Sequence, residues 1–309
     1  MGVRGGRYNH YRDDDFGQER GGKGKTLRIV LFCLAGLAAV SLLIYVLRPK
    51  NQLMNTAEMQ RIKDRGVLIV GVRDDTPGFS LNGEGLEIEL AQLFADYLLP
   101  DTESENAAKL EVVSGQTAVT KLSDGSIDAA IALMQKDASN KYAYSYPYYT
   151  DNCIIAVKRG NEKLPLEQMT IGYVQNTAGA NVLKSYTSAR ETKIERTIWD
   201  RIRGITPELP ANAVKYTTTA FASYPDLINA LASGRIDGAV FTGVYAARYG
   251  IGDTYSVHET ELGKVEYAIT ASADEPAIAQ LADVFIYELE QSGQLAALLQ
   301  KYSLTEPGQ

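Results

Sequence analysis

A ten-residue pattern that occurs twice constrains this chain more than any other feature. Leu122-Ser-Asp-Gly-Ser-Ile-Asp-Ala-Ala-Ile131 and Leu231-Ala-Ser-Gly-Arg-Ile-Asp-Gly-Ala-Val240 share Leu, Gly, Ile, Asp and Ala in register, 109 positions apart. Helix-like stretches at Thr117–Ser123 and Pro225–Ser233 precede the two copies, and strand-like ones at Leu110–Ser114 and Ala213–Tyr216 precede those. Gly125 and Gly234 suit the left-handed residue that ends a helix. The Ile-Asp-x-Ala-Ile/Val run that follows suits a short strand covered on both faces. Strand–helix–strand units of this length cross over right-handed to a parallel neighbour. Two such units predict two similar α/β lobes, and open parallel sheets hold ligands beyond the carboxyl ends of their strands, so facing lobes give a cleft.

Further elements fill in around the repeat. Val67–Val72 reads as a buried strand and Gly85–Leu98 as an amphipathic helix. Glu87 and Glu89 suit the positive end of that helix and need no catalytic role. Ile171–Val174 reads as a strand, with Gln175-Asn176-Thr177 at the N-terminus of the next helix. Ser188 and Glu191 have capping-box spacing, leading into a stripe of Ile194, Ile198 and Ile202 near Trp199. Pro276–Ser292 and Leu295–Tyr302 read as closing helices broken at Gly293.

The N-terminal part differs in kind. The first 26 residues are Gly-rich and charged, which predicts a disordered tail over 1–27. Ile29–Leu47 then runs 19 residues with Ser41 as its one strongly polar member. At about 1.5 Å per residue a helix of that length crosses a hydrocarbon core of roughly 30 Å, so a transmembrane anchor is expected over 28–48 and a linker over 49–55. Arg48-Pro49-Lys50 replaces a small-residue cleavage site, so the anchor reads as uncleaved. Arg20, Lys23, Lys25 and Arg28 before the span outnumber Arg48 and Lys50 after it, which places the body outside the cytoplasm on a single-pass cell-membrane anchor. Residues 1–50 carry nine basic against four acidic residues, +5, so the remaining body carries −12 of the total −7. A body that acidic excludes nucleic acid as a partner. Two His (His10, His258) and two Cys (Cys33, Cys153) exclude zinc fingers and a disulfide framework, and no metal or cofactor is expected.

In order and spacing, four segments resemble the family 3 extracytoplasmic solute-binding proteins, receptors of polar amino acid ABC importers. Arg65 to Arg73 is similar to the family's opening strand, and Gly85-Leu-Glu-Ile-Glu-Leu90 to its signature motif. Tyr144-Ser-Tyr-Pro-Tyr-Tyr149 is similar to its Phe-Ser-x-Pro-Tyr-Tyr segment, and Glu288 to Ser303 to its final helix pair. The resemblance implies a two-lobed type II periplasmic-binding fold after the transmembrane helix. Lobe 1 would hold 56–152 and 259–305, and lobe 2 would hold 153–258 with an insertion at about 185–212. Hinge strands near Cys153–Val157 and Val265–Thr270 would let the lobes close. Its implied partners are a small-molecule solute and a membrane ABC permease.

The pocket implied by that resemblance departs from the family's pattern for free amino acids. Ala138 stands where an Arg usually holds the α-carboxylate, and Thr242 where an Asp holds the α-ammonium. Thr76 stands where an aromatic stacks on the ligand, three before Phe79, and Leu133 where a hydroxyl is expected. Arg73, Gln135, Lys136 and Lys141 are the remaining polar candidates at the first lobe's edge. Thr177 and Ala178 open a helix whose backbone N–H groups would face the cleft as an anion site. Losing one partner of a buried charge pair costs on the order of 3–5 kcal/mol, so a solute other than a simple free amino acid is expected, amino-acid-related or peptide-like. The Tyr142, Tyr144, Tyr146, Tyr148, Tyr149 cluster reads as packing beside the hinge, Cys153 as a buried inert thiol, and His258 as lacking a second metal ligand. A membrane-tethered, non-enzymatic receptor is the leading reading. A transport-inactive scaffold or sensor is the alternative, and an enzyme of the same fold, with Asp74 or Asp75 as acid, the third.

Overall fold

The computed structural model describes residues 50–137, 141–192, 202–203 and 213–304. The tail, the apolar run at 29–47, Ala138, Ile194, Ile198 and Trp199 lie outside them. Among the described residues no helix is long and apolar enough to cross a membrane.

The strands are β1 (Leu68–Val72), β2 (Ala108–Val112), β3 (Ala129–Ile131), β4 (Tyr142–Val157), β5 (Thr170–Val174), β6 (Thr217–Phe221), β7 (Gly238–Thr242), β8 (Ser256–Val257) and β9 (Gly263–Ser272). The main helices are α1 (Ala57–Arg65), α2 (Leu86–Leu98), α3 (Gly115–Ser123), α4 (Ala178–Arg190), α5 (Tyr224–Ser233), α6 (Gly243–Arg248), α7 (Pro276–Gln291) and α8 (Gln294–Lys301). One nine-stranded sheet runs β2-β1-β3-β9-β4-β7-β5-β6, with β8 on β4.

The sheet has two parallel groups, β2-β1-β3 and β7-β5-β6, joined by antiparallel β9 and β4. Residues 142–153 of β4 pair with β9 and residues 153–157 pair with β7, so Cys153 is where the strand passes from one group to the other. Because β7 is antiparallel to β4, the carboxyl ends of both parallel groups point toward this switch.

The repeat has the same physical job in each group. Ser114 and Ser223 cap the starts of α3 and α5, and Gly125 (φ 73°) and Gly234 (φ 75°) turn left-handed after their ends. Asp128 accepts the Ile69 N–H at 2.7 Å, and Asp237 accepts the Thr170 N–H at 2.8 Å. Ile127 packs so closely on β1 that a Cβ on Gly71 would lie 2.7 Å from it. Ile236 leaves only 2.5 Å above Gly172 in β5. Each Ile-Asp pair thus locks its strand to the neighbour it crosses to.

Several sequence expectations need correction. The strand expected at Ala213–Tyr216 lies at Thr217–Phe221 instead, an edge strand with four exposed residues in its five, so burial periodicity could not mark it. Ser188 lies inside α4, and Glu191 ends that helix rather than completing a capping box; its carboxylate accepts the Tyr216 N–H at 3.2 Å. Glu87 does more than suit a helix end, because it is fully buried. Apolar residues of α2, α7 and α8, including Leu90, Phe94, Phe285 and Leu298, cover β1, β3 and β9, while Leu227, Leu231 and Phe241 centre a second core around β5 and β7.

Candidate functional site

The carboxyl ends of β1, β3, β5 and β7 deliver the candidate residues. Arg73 follows β1 directly, Leu133 and Gln135 follow β3, Thr177 and Ala178 open α4 after β5, and Thr242 ends β7 before α6. The geometry brings Arg73, Gln135, Thr177 and Thr242 to one region. Gln135 bridges Tyr267 on β9, whose hydroxyl donates to Thr242 Oγ1 at 3.3 Å. Gln135 Oε1 accepts from Asn181 Nδ2 at 3.0 Å, in the first turn of α4. The Arg73 guanidinium lies 6.0 Å from the centre of the Tyr245 ring on α6.

Three candidates sit in the walls rather than on an open surface. Thr76, Phe79 and Thr242 are each 1% exposed. Thr76 donates to Asp75 Oδ1 at 2.9 Å, and Phe79 meets the Tyr149 ring edge-on at 5.0 Å. Leu133 is buried with φ 50°, and its N–H donates to Glu87 Oε1 at 2.6 Å. Lys136 donates to the Ser145 carbonyl at 3.2 Å, which ties it to β4. Ala138 lies outside the described residues.

Thr177 caps α4, accepting the Ala180 N–H at 3.3 Å and donating to the Val174 carbonyl at 2.7 Å. Tyr224, which opens α5, stacks on Tyr245 at 4.6 Å between centroids.

Sequence reasoning missed the strongest electrostatic feature. Arg73 grips Asp75 in a bidentate fork, Nε to Oδ1 at 2.8 Å and Nη2 to Oδ2 at 2.7 Å. Arg248, from α6 in the other group, reaches Asp75 Oδ2 at 3.0 Å. Partial burial pushes the Asp75 carboxyl up, but the hydrogen bond and charge of Arg73, with Arg248, outweigh it and hold it at about 2. Glu87 shows the opposite balance. Burial raises it to about 7, although Tyr148 donates at 2.5 Å and Leu133 at 2.6 Å. A Gly-Leu-Glu-Ile-Glu pattern does not reveal which carboxylate turns inward to partners 46 and 61 positions away.

A cavity of about 510 Å³ adjoins Arg248, with Phe79, Tyr149, Asp151, Val244 and Leu304 among its lining. Asp151 accepts the Val244 N–H at 2.9 Å and so caps α6. Cys153 is buried, which pushes its thiol up to about 12. The two ring nitrogens of His258 meet the Leu164 carbonyl at 2.8 Å and the Thr260 N–H at 3.1 Å. Tyr148 and Tyr149 pack in the core, whereas Tyr146 is half exposed.

Comparison with known proteins gives a consistent result. The sequence profile of the bacterial extracellular solute-binding proteins, family 3, matches residues 68–305. The ABC transporter glutamine-binding protein GlnH of Bacillus subtilis is 24% identical over 80% of this chain and 85% of its own. A membrane-bound lytic murein transglycosylase F of Histophilus somni is 26% identical over 76% of this chain but only 47% of its own length. Among solved structures, an amino acid ABC transporter substrate-binding protein from Streptococcus pneumoniae bound to L-arginine superimposes with a TM-score of 0.56 at 20% identity, over 82% of this chain and all of that one. An ancestral amino acid-binding protein, a precursor of cyclohexadienyl dehydratase, gives 0.56 at 18% identity, over 79% of this chain and 97% of that one.

Proposed function

The chain belongs to the bacterial extracellular solute-binding proteins of family 3, and on that premise we propose that it is a membrane-tethered receptor of an ABC importer. Residues 28–48 anchor it in the cell membrane with the body outside the cytoplasm. Lobe 1 (56–152 and 259–305) and lobe 2 (153–258) close on a small amino-acid-related or peptide-like solute and present it to the permease. The observation that carries this reading is that polar side chains from both strand groups meet beyond their carboxyl ends: Asp75 with Arg248, and Gln135 with Asn181. A solute bound there touches both lobes and shifts an open–closed equilibrium.

The solute class follows from the substitutions. Thr242 supplies a hydroxyl engaged by Tyr267 where an α-ammonium would need a carboxylate, and Ala138 supplies no cation. We read the chain as a receptor and not an enzyme. Asp75, ion-paired and held at about 2, is a poor general acid near neutrality, and Asp74 accepts the Asn82 N–H at 2.5 Å.

Thermal melts of the full chain in detergent test the class against the standard amino acids, short peptides and N-acyl amino acids. A ligand at a hundred times its Kd adds about 2.7 kcal/mol, a rise of about 5–10 °C. We expect such a rise with a peptide or acyl derivative and none with a free amino acid; micromolar binding of a free amino acid overturns the class. A transport-inactive scaffold or sensor is the second reading, favoured by Ala138 and Thr242 standing where the two charges that grip an amino acid are expected. Uptake measured with and without this chain separates the two.

A further inference from the structure

We propose that Arg73, Arg248 and Thr76 form a carboxylate subsite that Asp75 fills until a solute carboxylate takes its place. The inference rests on the receptor reading above and names its solute class: an apolar or aromatic body, blocked at nitrogen, that carries one carboxylate.

The geometry around Asp75 is what a bound carboxylate requires. Arg73 presents its fork at 2.8 and 2.7 Å, Arg248 adds a donor at 3.0 Å, and the Thr76 hydroxyl adds another at 2.9 Å. Planar bidentate donation by guanidinium is the strong and selective way to hold a carboxylate. Exposure makes the anion the exchangeable partner. The Asp75 side chain is 43% exposed, whereas Arg73 is 14% and Arg248 24% exposed. Asp75 can swing out and rehydrate, while the two cations stay held, Arg73 beside the Tyr245 ring and Arg248 beside the Tyr249 ring at 5.6 Å.

The neighbouring carboxylates cannot make this exchange. Glu87 is fully buried with Oε1 taken by Tyr148 and Leu133, and Asp151 is buried and accepts the Val244 N–H. The solute is blocked at nitrogen because Thr242, engaged by Tyr267, stands where an α-ammonium would need a carboxylate. The cavity of about 510 Å³ beside Arg248 takes the body of the solute, against Phe79, Tyr149, Val244 and Leu304. Its size is in the range of small-molecule pockets. Because Arg73 and Arg248 come from opposite strand groups, a carboxylate between them also ties the groups together.

Isothermal titration of the full chain in detergent with N-acetyl-L-phenylalanine, and with its primary amide, tests the subsite. We expect the wild type to prefer the carboxylate probe by at least tenfold. Asp75→Asn removes the internal competitor and tightens that probe a further tenfold without changing the amide. Arg248→Gln weakens the preference, and Arg248→Lys, which keeps a charged donor, restores part of it. Equal binding of the two probes by the wild type, no gain in Asp75→Asn, or an undiminished preference in Arg248→Gln overturns the proposal, as does failure of every folded variant to bind either probe. A different solute that binds the wild type regardless of these substitutions overturns the subsite and leaves the receptor standing. Absence of binding by any solute in both this set and the melting screen removes the receptor as well.

Discussion

Glu87 and Glu89 lie two positions apart on α2, so about 200° separates them around the helix, and one had to face inward. Glu89 faces outward and takes hydrogen bonds from Lys301 at 2.6 Å and Tyr302 at 2.8 Å. Glu87 faces the core, where burial raises its pKa from 4.5 to about 7. A carboxyl whose folded pKa is raised contributes its full stability below the unfolded value and loses it as pH rises through the folded one. The window is therefore pH 4.5 to about 7, and a shift of that size corresponds to roughly 3 kcal/mol. We expect urea melts of the wild type to lose stability across that window relative to Glu87→Gln. Parallel pH profiles for the two proteins would sink this assignment. Asp75 works in the opposite sense and in a separate window: its contribution is present above pH 3.8 and fades as pH falls through about 2. The sequence showed both glutamates and their helix, but not the inward partners, because Leu133 and Tyr148 reach Glu87 only through the tertiary fold.

At the level of elements, the repeated Leu-x-x-Gly-x-Ile-Asp was the most legible signal, since each of its residues has a local task that residue type alone can fulfil. Gly turns after the helix, Ile seals against a glycine on the neighbouring strand, and Asp takes that strand's first free N–H. A methyl on Gly172 would meet Ile236 at 2.5 Å and Leu227 at 2.6 Å, both deep in the second core. Gly172→Ala should cost about 1–3 kcal/mol in chemical denaturation, as overpacking does. Asp237→Ala strands the Thr170 N–H and should cost about 1–3 kcal/mol. Free energies within a few tenths of wild type for both would show that β5 tolerates a looser seat than its contacts indicate. Elements without such a local constraint were misread. The Thr-rich β6 has no buried face, and Ser188 with Glu191 matched a capping spacing at the end of a helix rather than at its start.

For the molecule as a whole, two polar contacts add to apolar packing in holding the two strand groups in their present relation. Asp75 to Arg248 and Gln135 to Asn181 cross between them beyond the strand ends, and β4 and β9 are the covalent links behind. These ties were invisible in the sequence, because Arg248 and Asn181 belong to no repeat or motif and acquire meaning only once β7 and β5 point them at β1 and β3. Partly exposed pairs of this kind are worth about 0–1 kcal/mol each, with a hydrogen bond near 1. Together they bias a two-state equilibrium by about 1–2 kcal/mol, a factor of roughly 5–30 in population. Removing both with Arg248→Gln and Asn181→Ala should therefore move the solute-free protein toward an open form, read as a larger radius of gyration in small-angle scattering. Each single variant should fall between the double variant and the wild type, because the two contacts share no residue and their effects add. A double variant whose scattering matches the wild type would mean that the apolar contacts along β4, led by the Tyr149 and Tyr267 stack, set the angle between the groups, and that solute acts on a hinge already closed.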